Sequence, residues 1–164
     1  MQGMVQQITL LRVVTPKEPV DVPAGVLDEI LYLRPVGGTG MNQRPLIAIV
    51  DDDRWMRRSL ERLLRSAGFQ AETFVSAEDY LAAGKHEGTG CIILDIGLPG
   101  MSGFELERRL TADHNRLPIV FVSAHDEPEV RDEAAHAGAV AFLAKPFDDE
   151  SLLDAVSLAL KYQT

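Results

Sequence analysis

The sequence predicts an α/β fold in which a five-stranded parallel sheet carries helices on both faces. Two observations support this. Five short, mostly apolar runs (residues 46–50, 69–74, 91–95, 119–122 and 140–144) alternate with five stretches of helical periodicity. Such runs need cover on both faces, as parallel strands receive from crossover helices. The crossovers are expected to be right-handed.

Each element has its own local warrant. Leu46–Val50 is continuously apolar, and Asp51-Asp52-Asp53 follows it. Met56, Leu60, Leu63, Leu64 and Ala67 then recur at helical spacing, with Arg57, Arg58, Glu61, Arg62 and Arg65 mostly between them. Gly68 stands where a helix C-terminal cap belongs. After the second run, Ser76-Ala77-Glu78-Asp79 has the spacing of a capping box. The third run is apolar until its last residue, Asp95, and Ser102-Gly103-Phe104-Glu105 opens a helix reaching about Leu110. Asp126-Glu127-Pro128-Glu129 begins the next helix with acids in the first turn, where the helix dipole favours them, and Gly138 ends it. Asp148 or Asp149 caps a last helix carrying Leu152, Leu153, Val156 and Leu160.

Composition narrows the function. The 164 residues are 46% hydrophobic and 25% charged, an ordinary globular balance. The net charge of -9, from 25 acidic and 16 basic residues, argues against a nucleic-acid-binding surface. Residues 1–44 hold four acids and four bases, so the whole excess lies in 45–164. That first segment carries Pro16, Pro19, Pro23 and Pro35, then the linker-like run Gly37-Gly38-Thr39-Gly40. Within it, residues 8–14 read as a short strand and 26–33 as a short helix or strand, neither able to bury a core alone. Two origins stay open for this extension: a genuine appended segment, or a mis-assigned or vector-derived leader ahead of a natural start at Met41. The single Cys91 cannot form an internal disulfide, no run reaches membrane-span length, and the N-terminus lacks a secretory pattern. A reducing, cytoplasmic setting is expected.

In parallel α/β sheets, ligands gather at the carboxyl ends of the strands. Asp51 and Asp52 follow strand one, Asp95 ends strand three, Ser123 ends strand four, and Lys145 follows strand five, before Pro146. In a 2-1-3-4-5 strand order, strands one and three are neighbours and their carboxylates converge. Three carboxylates in one cleft repel one another unless a hard cation neutralises them, and an all-oxygen set suits Mg²⁺. Lys145 adds a fixed positive charge and Ser123 a hydroxyl. The set suits phosphoryl transfer to a carboxylate, with Asp95 as nucleophile and Mg²⁺, Lys145 and Ser123 stabilising the phosphoryl oxygens. Each residue also has an ordinary role: the Asp triplet as a helix cap, Asp95 as a turn residue before Gly97, Pro99 and Gly100, Lys145 as a surface lysine. The chemistry rests on all of them falling at one edge of one sheet.

The runs Ile49-Val50-Asp51-Asp52-Asp53, Leu94-Asp95-Ile96-Gly97-Leu98-Pro99-Gly100-Met101-Ser102-Gly103, Val122-Ser123-Ala124 and Lys145-Pro146-Phe147 resemble the receiver domain of two-component response regulators. Order and spacing agree across residues 45–164, and the likeness is closest to LuxR/FixJ-type receivers. It implies the flavodoxin-like (βα)5 fold with order 2-1-3-4-5, for which bacterial receivers are a standard example. It implies that Asp95 accepts a phosphoryl group from a histidine kinase or histidine phosphotransfer protein. Asp51, Asp52, Asp95 and the backbone carbonyl of Gly97 would hold Mg²⁺. Ser123 would be the switch hydroxyl, Lys145 would pair with the phosphoryl group, Phe142 would be the aromatic switch residue, and Lys145–Pro146 would be cis. The face made by the fourth helix, fifth strand and fifth helix would signal to an output protein or form a homodimer on phosphorylation. Such a domain is not an enzyme, although it assists its own phosphorylation and dephosphorylation.

This sequence departs from the pattern in small ways. Ser123 replaces the commoner Thr, and Phe142 lacks the hydroxyl of Tyr. Gly97 and His125, each two residues past a reactive position, are expected to tune the lifetime of the phosphorylated form. His86, His114 and His136 form no metal-ligand pattern. A pseudo-receiver that is never phosphorylated usually lacks an acid or the lysine, and none is missing. An aspartyl phosphotransferase needs an acid/base two residues past its nucleophile, where Gly97 stands. A flavin module would meet repulsion from Asp51-Asp52-Asp53. With no output domain in the sequence, the chain reads as a stand-alone receiver or as one cut from a longer regulator.

Overall fold

Period-two alternation along the strands divides the core into two layers. The computed structural model describes residues 9–10, 44–84 and 88–162. Its elements are β1 (Leu46–Val50), α1 (Arg54–Ser66), β2 (Gln70–Phe74), α2 (Ala77–Ala82), β3 (Thr89–Asp95), α3 (Gly103–Ala112), β4 (Ile119–Ser123), α4 (Pro128–His136), β5 (Ala141–Ala144) and α5 (Asp149–Lys161). The five strands are parallel in the order β2-β1-β3-β4-β5, the flavodoxin-like arrangement. Ile47, Ile49, Cys91, Ile93, Val120 and Val122 point to one face, where they pack with Leu60 and Leu64 of α1 and Leu152 and Val156 of α5. Ala48, Val50, Ile92, Leu94, Phe121 and Phe142 point to the other, against Tyr80 of α2, Leu106 of α3 and Ala134 of α4. Burying an aliphatic or aromatic side chain contributes about 1.5–3 kcal/mol, so these two layers dominate the stability of the fold.

The caps set where the helices begin. Asp53 accepts from the backbone N–H groups of Trp55 and Met56, so the third aspartate of the triplet is the cap of α1. Ser102 and Glu105 form a complete capping box at α3. Ser76 caps α2 through the Asp79 N–H, while the Asp79 carboxylate reaches Val75 N, one residue short of a reciprocal box. Asp148, not Asp149, caps α5. Glu127 precedes α4 with no side-chain cap bond, and Pro128 supplies the preset first turn. Past α1, Gly68 adopts φ +92°, the left-handed conformation that a helix terminus asks of glycine.

Three strand limits differ from the sequence reading. β3 begins at Thr89 rather than 91, because pairing with Leu46 of β1 draws Thr89 and Gly90 into the sheet. β2 starts at Gln70 and β5 at Ala141, one residue later than expected. The sheet also gains a sixth, antiparallel member: Thr9–Leu10 lies along the edge of β5. This is the described part of the strand expected at 8–14. The remainder of that stretch, the element expected at 26–33, Met41 and His86 lie outside the described residues. No described helix is long and apolar enough to cross a membrane. Cys91 is fully buried in β3, and burial pushes its thiol up to about 12, so it serves as a core residue.

Candidate phosphoacceptor site

The carboxyl ends of β1, β3, β4 and β5 bring together the residues the sequence singled out. Asp51 follows β1 and is almost fully buried; its N–H is held by Phe74 O at 3.2 Å. Its Oδ1 accepts from Asp53 N at 2.8 Å, leaving Oδ2 toward Lys145. Asp95 ends β3, also buried, with Oδ1 accepting from Gly97 N at 3.0 Å. The Lys145 ammonium lies 2.8 Å from Asp51 Oδ2 and 3.1 Å from Asp95 Oδ2. The Lys145–Pro146 bond is cis, and Lys145 N donates to Ser123 O at 2.7 Å, which ties the end of β5 to the end of β4. Asp52 is exposed, and one carboxylate oxygen from each of Asp51, Asp52 and Asp95 falls within 4.8 Å of the others.

The electrostatics follow from burial and pairing. Burial raises the Asp51 carboxyl above its ordinary value; the bonds from Lys145 and the Asp53 N–H offset part of this, and the charge of Asp95 adds to it. Burial works against the Lys145 ammonium, but its bond to Asp51 and the charges of Asp51 and Asp95 outweigh that, so its pKa is raised. An octahedral Mg²⁺ with ligands near 2.1 Å needs oxygens about 3 Å apart on adjacent positions and about 4.2 Å apart across the ion. Three carboxylates within 4.8 Å therefore fit a hard divalent cation with small side-chain adjustment.

Ser123 is buried, and its Oγ accepts from His125 N at 3.0 Å. Phe142 is buried on the α2–α3–α4 side, with the Arg131 guanidinium of α4 5.3 Å over its ring. The His125 side chain is exposed and lies 3.7 Å from Glu127. His114, at φ 58°, and His136 are exposed and belong to no described acidic or metal-binding group.

Two supporting residues were invisible to sequence reasoning. Arg57 Nη1 donates to Asp51 O at 2.6 Å, fixing the backbone at the end of β1. Glu78, at the start of α2, accepts from Met101 N at 2.8 Å and so pins the loop that follows Asp95. Nothing local signals a contact between residues 23 positions apart. Gly103 matters for the same loop: a Cβ there would stand 2.5 Å from Asp95 O and 2.9 Å from Ile96 Cα.

The sequence profile described as the response regulator receiver domain matches residues 47–157. The chain belongs to the response regulator receiver family. As in that family, the domain is a phosphorylation-activated signalling switch with an acidic cluster at its strand ends. Nodulation protein W of Bradyrhizobium diazoefficiens is 39% identical over 123 residues, covering 75% of this chain and 54% of that protein. Response regulator protein TmoT of Ectopseudomonas mendocina is 39% identical over 131 residues, covering 79% of this chain and 60% of that one. The chain thus spans little more than half the length of these curated relatives. The solved FixJ-N structure superposes with a TM-score of 0.69 at 34% identity, covering 74% of this chain and 98% of that one.

Proposed function

We propose that residues 45–164 form a receiver unit in which Asp95 accepts a phosphoryl group from a phosphorylated histidine kinase or phosphotransfer protein, with residues 1–44 as an N-terminal extension or linker of either origin. The observation that carries this is the Lys145 ammonium shared between Asp51 Oδ2 at 2.8 Å and Asp95 Oδ2 at 3.1 Å. An Asp95 carboxylate oxygen attacks phosphorus, the P–N bond to the donor imidazole breaks, and the departing nitrogen takes up a proton. Lys145 holds Asp95 oriented and meets the incoming phosphoryl oxygens; the Ser123 hydroxyl turns from His125 N to donate to one of them. Asp51, Asp52, Asp95 and the Gly97 carbonyl would hold Mg²⁺, which when bound offsets the negative charge of carboxylates and phosphoryl group.

The reading includes a two-state output. Ser123 and Phe142 sit on adjacent strands, with Ser123 paired to Ala144 and Phe121 to Phe142. Movement of Ser123 opens room that Phe142 follows, and the α4–β5–α5 face changes shape for an output protein or a second copy. The domain assists its own phosphorylation and dephosphorylation without turning over a free substrate. The buried free thiol of Cys91 accords with a reducing cytoplasm. The retained acids and Lys145 weigh against a pseudo-receiver.

Acetyl phosphate with Mg²⁺ should add one phosphoryl group to the chain, and chelator present from the start should prevent it. A chain that stays unmodified with Mg²⁺ present overturns the proposal. Gly97 and His125 are assigned to lifetime control, since one follows Asp95 by two residues and the other follows Ser123 by two. His125→Ala should change the first-order decay of the phosphorylated form severalfold, followed by intact mass after removal of donor. Identical decay in the two chains would remove His125 from that role.

A further inference from the structure

β5 is the last parallel strand of the sheet, and an edge strand presents unpaired backbone groups that template pairing with another chain. Here that edge carries Thr9–Leu10, antiparallel, with Thr9 opposite Phe142 and Leu10 opposite Ala141. The register has a direct consequence. Val140 N donates inward to Ile119 O, so period-two alternation turns the Ala141 N–H outward, toward Leu10. Opposite Thr9 is Phe142, the candidate switch residue, which is buried beneath the Arg131 guanidinium. The pairing segment lies outside residues 47–157, the stretch that matches the family.

We infer that the segment carrying Thr9 and Leu10 is an intramolecular edge cap: it adds a strand to β5 and shields the α4–β5–α5 face from a second copy of the chain. The tether permits this. Thr9–Leu10 stands four strand spacings from β1, about 19 Å, and the 35 residues between Leu10 and Leu46 span that with ease. Loop closure over such a length adds little entropy cost beyond that of a shorter tether. The cap competes with any partner that would pair with the same backbone groups, and a partner binding there must displace it. The shielding role rests on the reading of this face as the output surface; the pairing itself does not.

The test is amide hydrogen exchange on the full chain beside Leu10→Pro, which removes the donor opposite Ala141. The Ala141 amide should exchange at least tenfold faster in Leu10→Pro, while core amides such as Ile93 stay as they are. Leu10→Pro treated with acetyl phosphate and Mg²⁺ should also sediment as a dimer at concentrations where the parent is monomeric. Equal exchange at Ala141 overturns the cap. Protection of Ala141 that grows with protein concentration overturns the intramolecular form in favour of pairing between copies. Faster exchange with unchanged self-association overturns the shielding. Failure of both chains to take up a phosphoryl group would count against the phosphoacceptor reading and leave the exchange result standing.

Discussion

Lys145→Ala should slow phosphoryl uptake from acetyl phosphate by about 10²- to 10³-fold, the usual loss when a preorganised charge-stabilising donor is removed. The same change should destabilise the fold. Lys145 sits between two carboxylates that are almost fully buried, Asp51 and Asp95, at 2.8 and 3.1 Å. Taking away one partner of a buried charge group leaves the rest uncompensated, at a cost of roughly 3 kcal/mol. Mg²⁺ should recover part of that loss in the variant, because an ion bound only by the folded state stabilises it by mass action. Urea unfolding midpoints with and without Mg²⁺ read this directly. A variant as stable as the parent without Mg²⁺ would show that the ammonium is not what holds the two carboxylates together.

Gly103→Ala should lower stability by about 2 kcal/mol, and the sign is the informative part. In an open helix position glycine is worse than alanine by up to about 1 kcal/mol, so the substitution would ordinarily stabilise. At Gly103 the added methyl meets the backbone of Asp95 and Ile96 at 2.5 and 2.9 Å, and neither is a flexible side-chain end. The start of α3 must back away, which is the cost of overpacking. Gly103 N also donates to Ile96 O at 3.1 Å, so the shift reaches the loop carrying Gly97. Phosphoryl uptake should fall along with the unfolding midpoint. A midpoint at or above the parent value would mean that the loop after Asp95 yields freely.

The fold was legible because local signals agreed with the global one. The apolar runs, the Asp triplet as a source of a helix cap, the Ser102 cap and the glycine after α1 each depend on a few neighbouring residues, and each formed, with strand limits shifted by one or two residues. Asp51, Asp52, Asp95, Ser123 and Lys145 were legible as a group for a topological reason: parallel strands deliver their carboxyl ends to one edge. The Asp triplet filled two roles at once, with Asp53 capping α1 and its two predecessors joining the acidic cluster. What stayed hidden depends on long-range placement. Glu78 on Met101 N, Arg57 on the Asp51 carbonyl and the methyl-free contact at Gly103 have no sequence period behind them. Thr89 and Gly90 read poorly as strand, and only pairing with β1 makes them so. The partner of residues 9–10, on the far edge of the sheet, lay more than a hundred residues away in sequence.

The most direct measurement is the position of the phosphoryl group. After treatment with acetyl phosphate and Mg²⁺, borohydride reduces an aspartyl phosphate to the corresponding alcohol, and peptide mass spectrometry locates the altered residue. The mark should fall on Asp95 alone, and Asp95→Asn should acquire none. A mark on Asp51 or Asp52, or uptake undiminished in Asp95→Asn, would contradict the assignment of Asp95 as the acceptor.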